Sequence, residues 1–166
     1  MPQCRTSISI QPLNPVIGAE LLGIDLREEL ADEDVGVIKD ALNQYHVVFF
    51  RDQDITPEQH LAFGRRFGEL HVHPSVRGKP RSQWSELLPV HADANTARVV
   101  GDKWHTDVSC DEKPPFASIL HLTVIPESGG DTLFSSMAAA YEALSAPMKQ
   151  MLSSLTATHD GAPNYG

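Results

Sequence analysis

Residues 104–108 read Trp-His-Thr-Asp-Val, and the reading of His105 and Asp107 decides what fold this chain is built around. Residues two apart on a β-strand project from the same face, so an imidazole and a carboxylate at this spacing can meet one metal ion. Such a pair supplies two of the three donors in the 2-His-1-carboxylate set of non-haem Fe(II) oxygenases, which leaves the remaining positions open. Spacing alone is weak evidence. Eight histidines and 22 acidic residues in 166 positions give roughly one His-x-acid match by chance. The chain has two, His91-Ala92-Asp93 and His105-Thr106-Asp107. The first lies in a stretch rich in Pro, Asn and Asp. The second sits between Trp104 and Val108 in strand-like surroundings and is the better candidate.

Outward from this pair, strands are expected at Trp104–Cys110, Phe116–Ile125 and Asp131–Ser135, with a turn at Pro126–Gly130. Upstream, Ser7–Ile10 and Val16–Leu26 read as short strands and His46–Phe50 as a buried one. Ala31–Tyr45 reads as a helix: Val35, Ile38, Leu42 and Tyr45 share a face, and Asp32, Glu33 and Asp34 crowd the first turn. Thr56, Pro57 and Gln59 form a capping box with proline at the first helical position; Leu61 and Phe67 give that helix its apolar face, and Gly68 follows as a stop. Glu69–His73 alternates, Leu70 and Val72 pointing one way and His71 and His73 the other. The stretch from Pro74 to Lys103, with Pro80, Pro89, Asp93, Asn95 and Gly101, is irregular, and a connection so long is usually functional. Helices are expected at Met137–Leu144 and, after Ser145 and Pro147, at Met148–Leu155. No closing element follows. Strands dominate and helices flank them, which favours a mainly β class, an antiparallel sandwich or barrel.

The composition narrows the function. A net charge of −9 argues against nucleic acid, which is held by clustered Lys and Arg. No apolar run approaches the roughly 18–20 residues of a membrane span, and no signal-like stretch opens the chain. Two cysteines, Cys4 and Cys110, are too few for a disulfide framework and suit a reducing cytosol. The expectation is a soluble, cytoplasmic protein.

The motif at 104–108, followed by Pro114-Pro115 and by Gly129-Gly130-Asp131-Thr132, resembles the taurine/2-oxoglutarate dioxygenase family, which is Fe(II)- and 2-oxoglutarate-dependent. Further matches are Val47–Gln53, Arg66–Pro74 and Ala140–Ser145, in order from about Ile10 to Asp160. The resemblance implies a double-stranded β-helix, or jelly roll, of which the chain is a single-domain N-terminal portion (1–166). It implies Fe(II) as cofactor, held by His105 and Asp107, and 2-oxoglutarate as cosubstrate, with Thr132 on its distal carboxylate. It implies His73, Val76 and Val108 in the substrate pocket, and molecular oxygen as the other reactant. The activity implied is hydroxylation of a small, anionic organic substrate with release of succinate and CO2. The complete protein is expected to be a homo-oligomer.

Two departures qualify the resemblance. The family's second iron histidine and its 2-oxoglutarate-binding arginine come from a C-terminal half with no counterpart in these residues, so the chain alone is expected to be inactive. The taurine enzyme's pocket aromatic is here Val76, and its asparagine four residues before the iron histidine is here Gly101. Taurine is therefore not the expected substrate. Two other readings remain open from the residues: a cupin-like metal enzyme using His71 and His73, and a non-catalytic ligand-binding domain. Trp104 is expected to pack and stiffen the ligand strand, Cys110 to act as a small hydrophobe, and His159 to be structural.

Overall fold

The computed structural model describes residues 7–77, 83–93, 95–97, 99 and 101–165; Cys4 and Pro80 lie outside them. The chain divides into two compact units, Met1–His60 with Thr123–Leu155 and Leu61–Leu122 with Thr156–Gly166.

The first unit is built on a three-stranded sheet in the order β1-β2-β3. β1 (Ser9–Pro12) pairs antiparallel with β2 (Ala19–Leu22), Ile10 opposite Leu21. The loop between them closes through Leu13 N–H donating to Gly18 O at 2.9 Å. Gly18 has a φ of 93°, a conformation glycine adopts without steric cost. α1 (Asp32–Tyr45) follows and buries Val35, Ile38 and Ala41, its acidic first turn complementing the helix dipole. It ends where His46 turns left-handed, φ 64°, with its N–H bonded to Leu42 O. The chain then returns to β3 (Val48–Phe49), parallel to β2 with Ala19 opposite Val48. This strand–helix–strand unit was not expected of an antiparallel fold. A helix of 14 residues is long enough to carry the chain back to the same end of the sheet, which is what a parallel pairing requires.

Gln53 ties the β3 exit to the segment after β2: its Oε1 accepts from Leu26 N–H at 2.7 Å, and its Nε2 donates to Ile24 O and Arg51 O. The capping box forms as expected. Thr56 N–H donates to Gln59 Oε1 at 2.8 Å, and Gln59 N–H to Thr56 Oγ1 at 3.3 Å, opening α2 (Pro57–Arg65). In the later part of this unit, Phe134 stands edge-on to Phe49, with ring centroids 6.1 Å apart. α3 (Met137–Glu142) is capped by Ser136, whose Oγ accepts from Ala139 N–H, and α4 (Ala146–Leu152) starts after Ser145. Lys149 joins the two through Glu142 Oε2 at 2.6 Å.

The second unit receives the end of α2, where Leu61, Phe63 and Gly64 are buried. The helix stops at Arg65, before the expected Gly68: Arg66 and Phe67 N–H bond to Phe63 and Gly64 carbonyls and tighten the last turn. Leu70 and Ile119 both approach Gly64, where an added Cβ would stand 2.9 Å from Leu70 Cδ2 and push that side chain aside. A short 3-10 turn spans Pro74–Val76, and α5 (Ala162–Tyr165), which was not expected, follows Asp160, whose Oδ1 accepts from Ala162 N–H.

Three expected strands are absent. Trp104–Cys110 is irregular and ends in a turn, while Phe116–Ile125 and Asp131–Ser135 have no ladder. A strand exists only by virtue of its hydrogen-bonded neighbour, and among the described residues these segments have none. Their apolar side chains face solvent instead, Val124 at 85% and Ile125 at 73% exposure.

Candidate metal centre

His105 and Asp107 come together without a strand. His105 Nε2 and Asp107 Oδ1 stand 3.3 Å apart. His105 Nδ1 lies 2.6 Å from Lys103 O, and a carbonyl can only accept, so Nδ1 carries the ring proton. With Nδ1 donating to Lys103 O, Nε2 is the ring atom left on the side of the carboxylate, the arrangement in which metal-binding histidines are held. Asp107 Oδ2 accepts from Ser118 Oγ at 2.5 Å, which leaves Oδ1 toward the imidazole. Two donors about 2.1 Å from one ion and at right angles to it lie about 3 Å apart, close to the separation found here. Nitrogen and carboxylate oxygen suit Fe(II). The pair fits such an ion but does not complete its shell: among the described residues no group of three or more His, Cys, Asp and Glu is placed to hold a metal.

The backbone beyond the pair is strained. Val108 has a φ of 46°, rare for a β-branched residue, and its side chain is only 4% exposed. Asp111 N–H closes the turn on Val108 O. On the other flank Gly101, φ 81°, lies against the ring: a Cβ there would sit 3.4 Å from His105 Cε1 and 4.0 Å from Nε2. Trp104 does not pack as expected; it is 70% exposed, so the proton-bearing Nδ1 and the turn at 107–110, not the indole, fix the pair.

A charged cluster pins the neighbouring segment. Asp111 accepts from both Nη atoms of Arg77, at 3.3 and 2.5 Å, and contacts His71 Nε2 at 2.8 Å, while Arg77 Nε donates to Val72 O. The Arg77 guanidinium, helped by His71, pushes the Asp111 carboxyl down to about 2. His73 Nδ1 accepts from Ser75 N–H and contacts Ser75 Oγ at 2.7 Å, so its ring proton sits on Nε2. Burial, with His71 beside it, holds His73 below the usual histidine value, and the Asp107 carboxylate opposes that shift. His73 thus lies within the field of Asp107. His71 and His73 turn to different partners, which does not assemble the paired site of a cupin-like centre. Val76 lies half-buried in the 3-10 turn.

The rival pair is poorer: His91 Nε2 and Asp93 Oδ2 are 3.6 Å apart, and the imidazole is 84% exposed. Thr132 belongs to the first unit, exposed on the irregular segment after Gly129 and Gly130, whose φ values are both 75°. Cys110 is a half-buried free thiol, and His159 Nδ1 meets Ser109 Oγ at 2.7 Å. Sequence reasoning missed Ser118, Asp111 and Arg77, because their partners lie 11 to 40 residues away and no local pattern marks them.

The family described as "Taurine catabolism dioxygenase TauD, TfdA family" matches residues 9–166. Over 159 residues the chain is 35% identical to an alpha-ketoglutarate-dependent sulfate ester dioxygenase of Pseudomonas putida, covering 95% of this chain and 51% of that protein. It is 34% identical over 167 residues to an alpha-ketoglutarate-dependent 2,4-dichlorophenoxyacetate dioxygenase of Cupriavidus pinatubonensis, covering 92% and 58%. The crystal structure of a taurine dioxygenase from Burkholderia xenovorans matches with a TM-score of 0.74 at 39% identity, over 89% of this chain and 52% of that one. The chain spans about half the length of the curated relatives it matches.

Proposed function

Because the chain belongs to the TauD, TfdA dioxygenase family, we propose that it carries part of the active site of an Fe(II)- and 2-oxoglutarate-dependent dioxygenase acting on a small anionic substrate. The observation that carries this reading is His105 Nε2 and Asp107 Oδ1 at 3.3 Å, with the ring proton held on Nδ1 by Lys103 O. The bound metal would supply the oxidation, coupling decarboxylation of 2-oxoglutarate to succinate and CO2 with hydroxylation of a C–H bond. These residues would bind and orient. His105 and Asp107 would hold the ion, and Thr132 would donate its hydroxyl to the far carboxylate of the cosubstrate. His73, protonated on Nε2, is a donor of the kind an anionic substrate group needs, and Val76 and Val108 would be apolar walls. Relatives named for sulfate esters and 2,4-dichlorophenoxyacetate support a small organic acid other than taurine, as do Val76 and Gly101 at positions where the taurine enzyme has an aromatic and an asparagine.

We infer that the complete protein closes a single jelly-roll domain, with segments 116–125 and 131–135 taking their ladder partners from chain beyond these residues. Their exposed apolar side chains support this. The acidic balance and sparse cysteines support a cytoplasmic protein that binds neither nucleic acid nor membrane, and self-association of the complete protein belongs to the same reading. The test is 2-oxoglutarate-dependent CO2 and succinate release by the complete protein with Fe(II). Turnover that survives Asp107→Ala sinks the proposal.

A further inference from the structure

We propose that Ser118 is a positioning residue for the metal, restricting Asp107 to one coordinating oxygen; this rests on the reading of His105 and Asp107 as an Fe(II) pair. The two oxygens of Asp107 are in different surroundings. Oδ1 faces His105 Nε2 at 3.3 Å, and Oδ2 accepts the Ser118 hydroxyl at 2.5 Å. That distance is at the short end for a hydroxyl donating to a carboxylate. A carboxylate oxygen that has taken a strong hydrogen bond is a weaker electron donor, and the hydroxyl occupies the direction from which an ion would approach Oδ2. Binding through both oxygens would consume a coordination position that cosubstrate or oxygen needs.

The placement of Ser118 is not accidental to its own side chain. Its neighbour Ile119, itself 40% exposed, touches Gly64 at the end of α2 through its Cδ1, which ties the segment carrying Ser118 to that helix. At the far end of the intervening loop, the Arg77–Asp111 contacts hold the turn that follows Asp107. The hydroxyl and the carboxylate are thus each anchored independently of the bond between them. Such second-layer partners of metal ligands typically change metal affinity by about 10- to 100-fold when removed.

The experiment uses the complete protein with Co(II) as spectroscopic substitute, titrated anaerobically without cosubstrate in wild type and in Ser118→Ala, Ser118→Thr and Asp107→Ala. The expected result is that Ser118→Ala binds Co(II) about tenfold more weakly and shifts its visible absorption, reporting altered coordination. Ser118→Thr, which keeps the hydroxyl, restores both. A Ser118→Ala protein matching wild type in affinity and spectrum overturns the role, and so does a Thr variant no better than Ala. An Asp107→Ala protein that retains the wild-type Co(II) spectrum instead overturns the iron-ligand reading itself.

Discussion

His105 Nε2 faces Asp107 Oδ1 across 3.3 Å, with the ring's other nitrogen held by the carbonyl of Lys103 at 2.6 Å. His91 and Asp93 share the same sequence spacing but are wider apart, and the His91 ring is 84% exposed. In the complete protein, His105→Ala or Asp107→Ala abolishes 2-oxoglutarate turnover, whereas His91→Ala and Asp93→Ala leave it within about twofold, as surface substitutions do. An iron-dependent succinate assay on the four variants decides; an exchange of roles between the pairs refutes the assignment.

Thr132→Val weakens 2-oxoglutarate binding and leaves Fe(II) affinity nearly unchanged. Loss of one hydrogen bond to a charged group costs about 1.5–3 kcal/mol, or ten- to a hundredfold in affinity. Calorimetric titration of cosubstrate into the anaerobic Fe(II) protein measures it. An unaltered affinity removes Thr132 from the site.

Gly101→Ala slows the enzyme on every substrate alike, because the new methyl group meets the His105 ring. The added Cβ would stand 3.4 Å from His105 Cε1, and a φ of 81° strains any L residue by about 1–2 kcal/mol. Across a panel of alkyl sulfates, sulfonates and aryloxyacids, taurine ranks below the best substrate in kcat/KM. Taurine at the top would show that Val76 and Gly101 do not set the preference.

Asp111 makes stability fall at acid pH. Its carboxyl lies at about 2 in the folded protein against 3.8 for an ordinary aspartate, so the folded state takes up its proton less readily than the unfolded one. The stabilisation is therefore complete above about pH 4 and is lost as pH falls toward 2. Asp111→Asn removes that dependence, which denaturation midpoints measured between pH 5 and 2 will register. An identical acid slope in the variant would separate Asp111 from the effect.

A polypeptide restricted to residues 1–166 self-associates. Phe116, Val124, Ile125 and Met137 are 67 to 85% exposed, and large apolar side chains left in water drive association. Light scattering over a range of concentrations reads the outcome directly; a monodisperse monomer that also turns over 2-oxoglutarate would show that the site is complete within these residues.

What the sequence made legible was local. The Thr56–Gln59 capping box and α1 with Val35 and Ile38 inward follow from patterns a few residues long, and both stand as expected. The His105–Asp107 pair was legible as a pair, because two positions of separation bring them together in a turn as well as in a strand. The expected strand did not form, since pairing is a property of two segments and among the described residues none lies beside this one. Arg77 and Asp111, 34 residues apart, left no trace in any window; only folding reveals that the same carboxylate anchors the histidine-bearing segment and the ligand turn.

Val108 gives the centre a mechanical character. Holding a β-branched residue at a φ of 46° costs about 1–2 kcal/mol, and burying its side chain returns roughly 1.5–3 kcal/mol, so the left-handed turn persists by a narrow margin. The Asp107 carboxylate is aimed by a sprung backbone whose catch is one isopropyl group in the hydrophobic interior. Trimming that isopropyl group, as Val108→Ala would, frees the turn and lets Asp107 drift from its place beside His105.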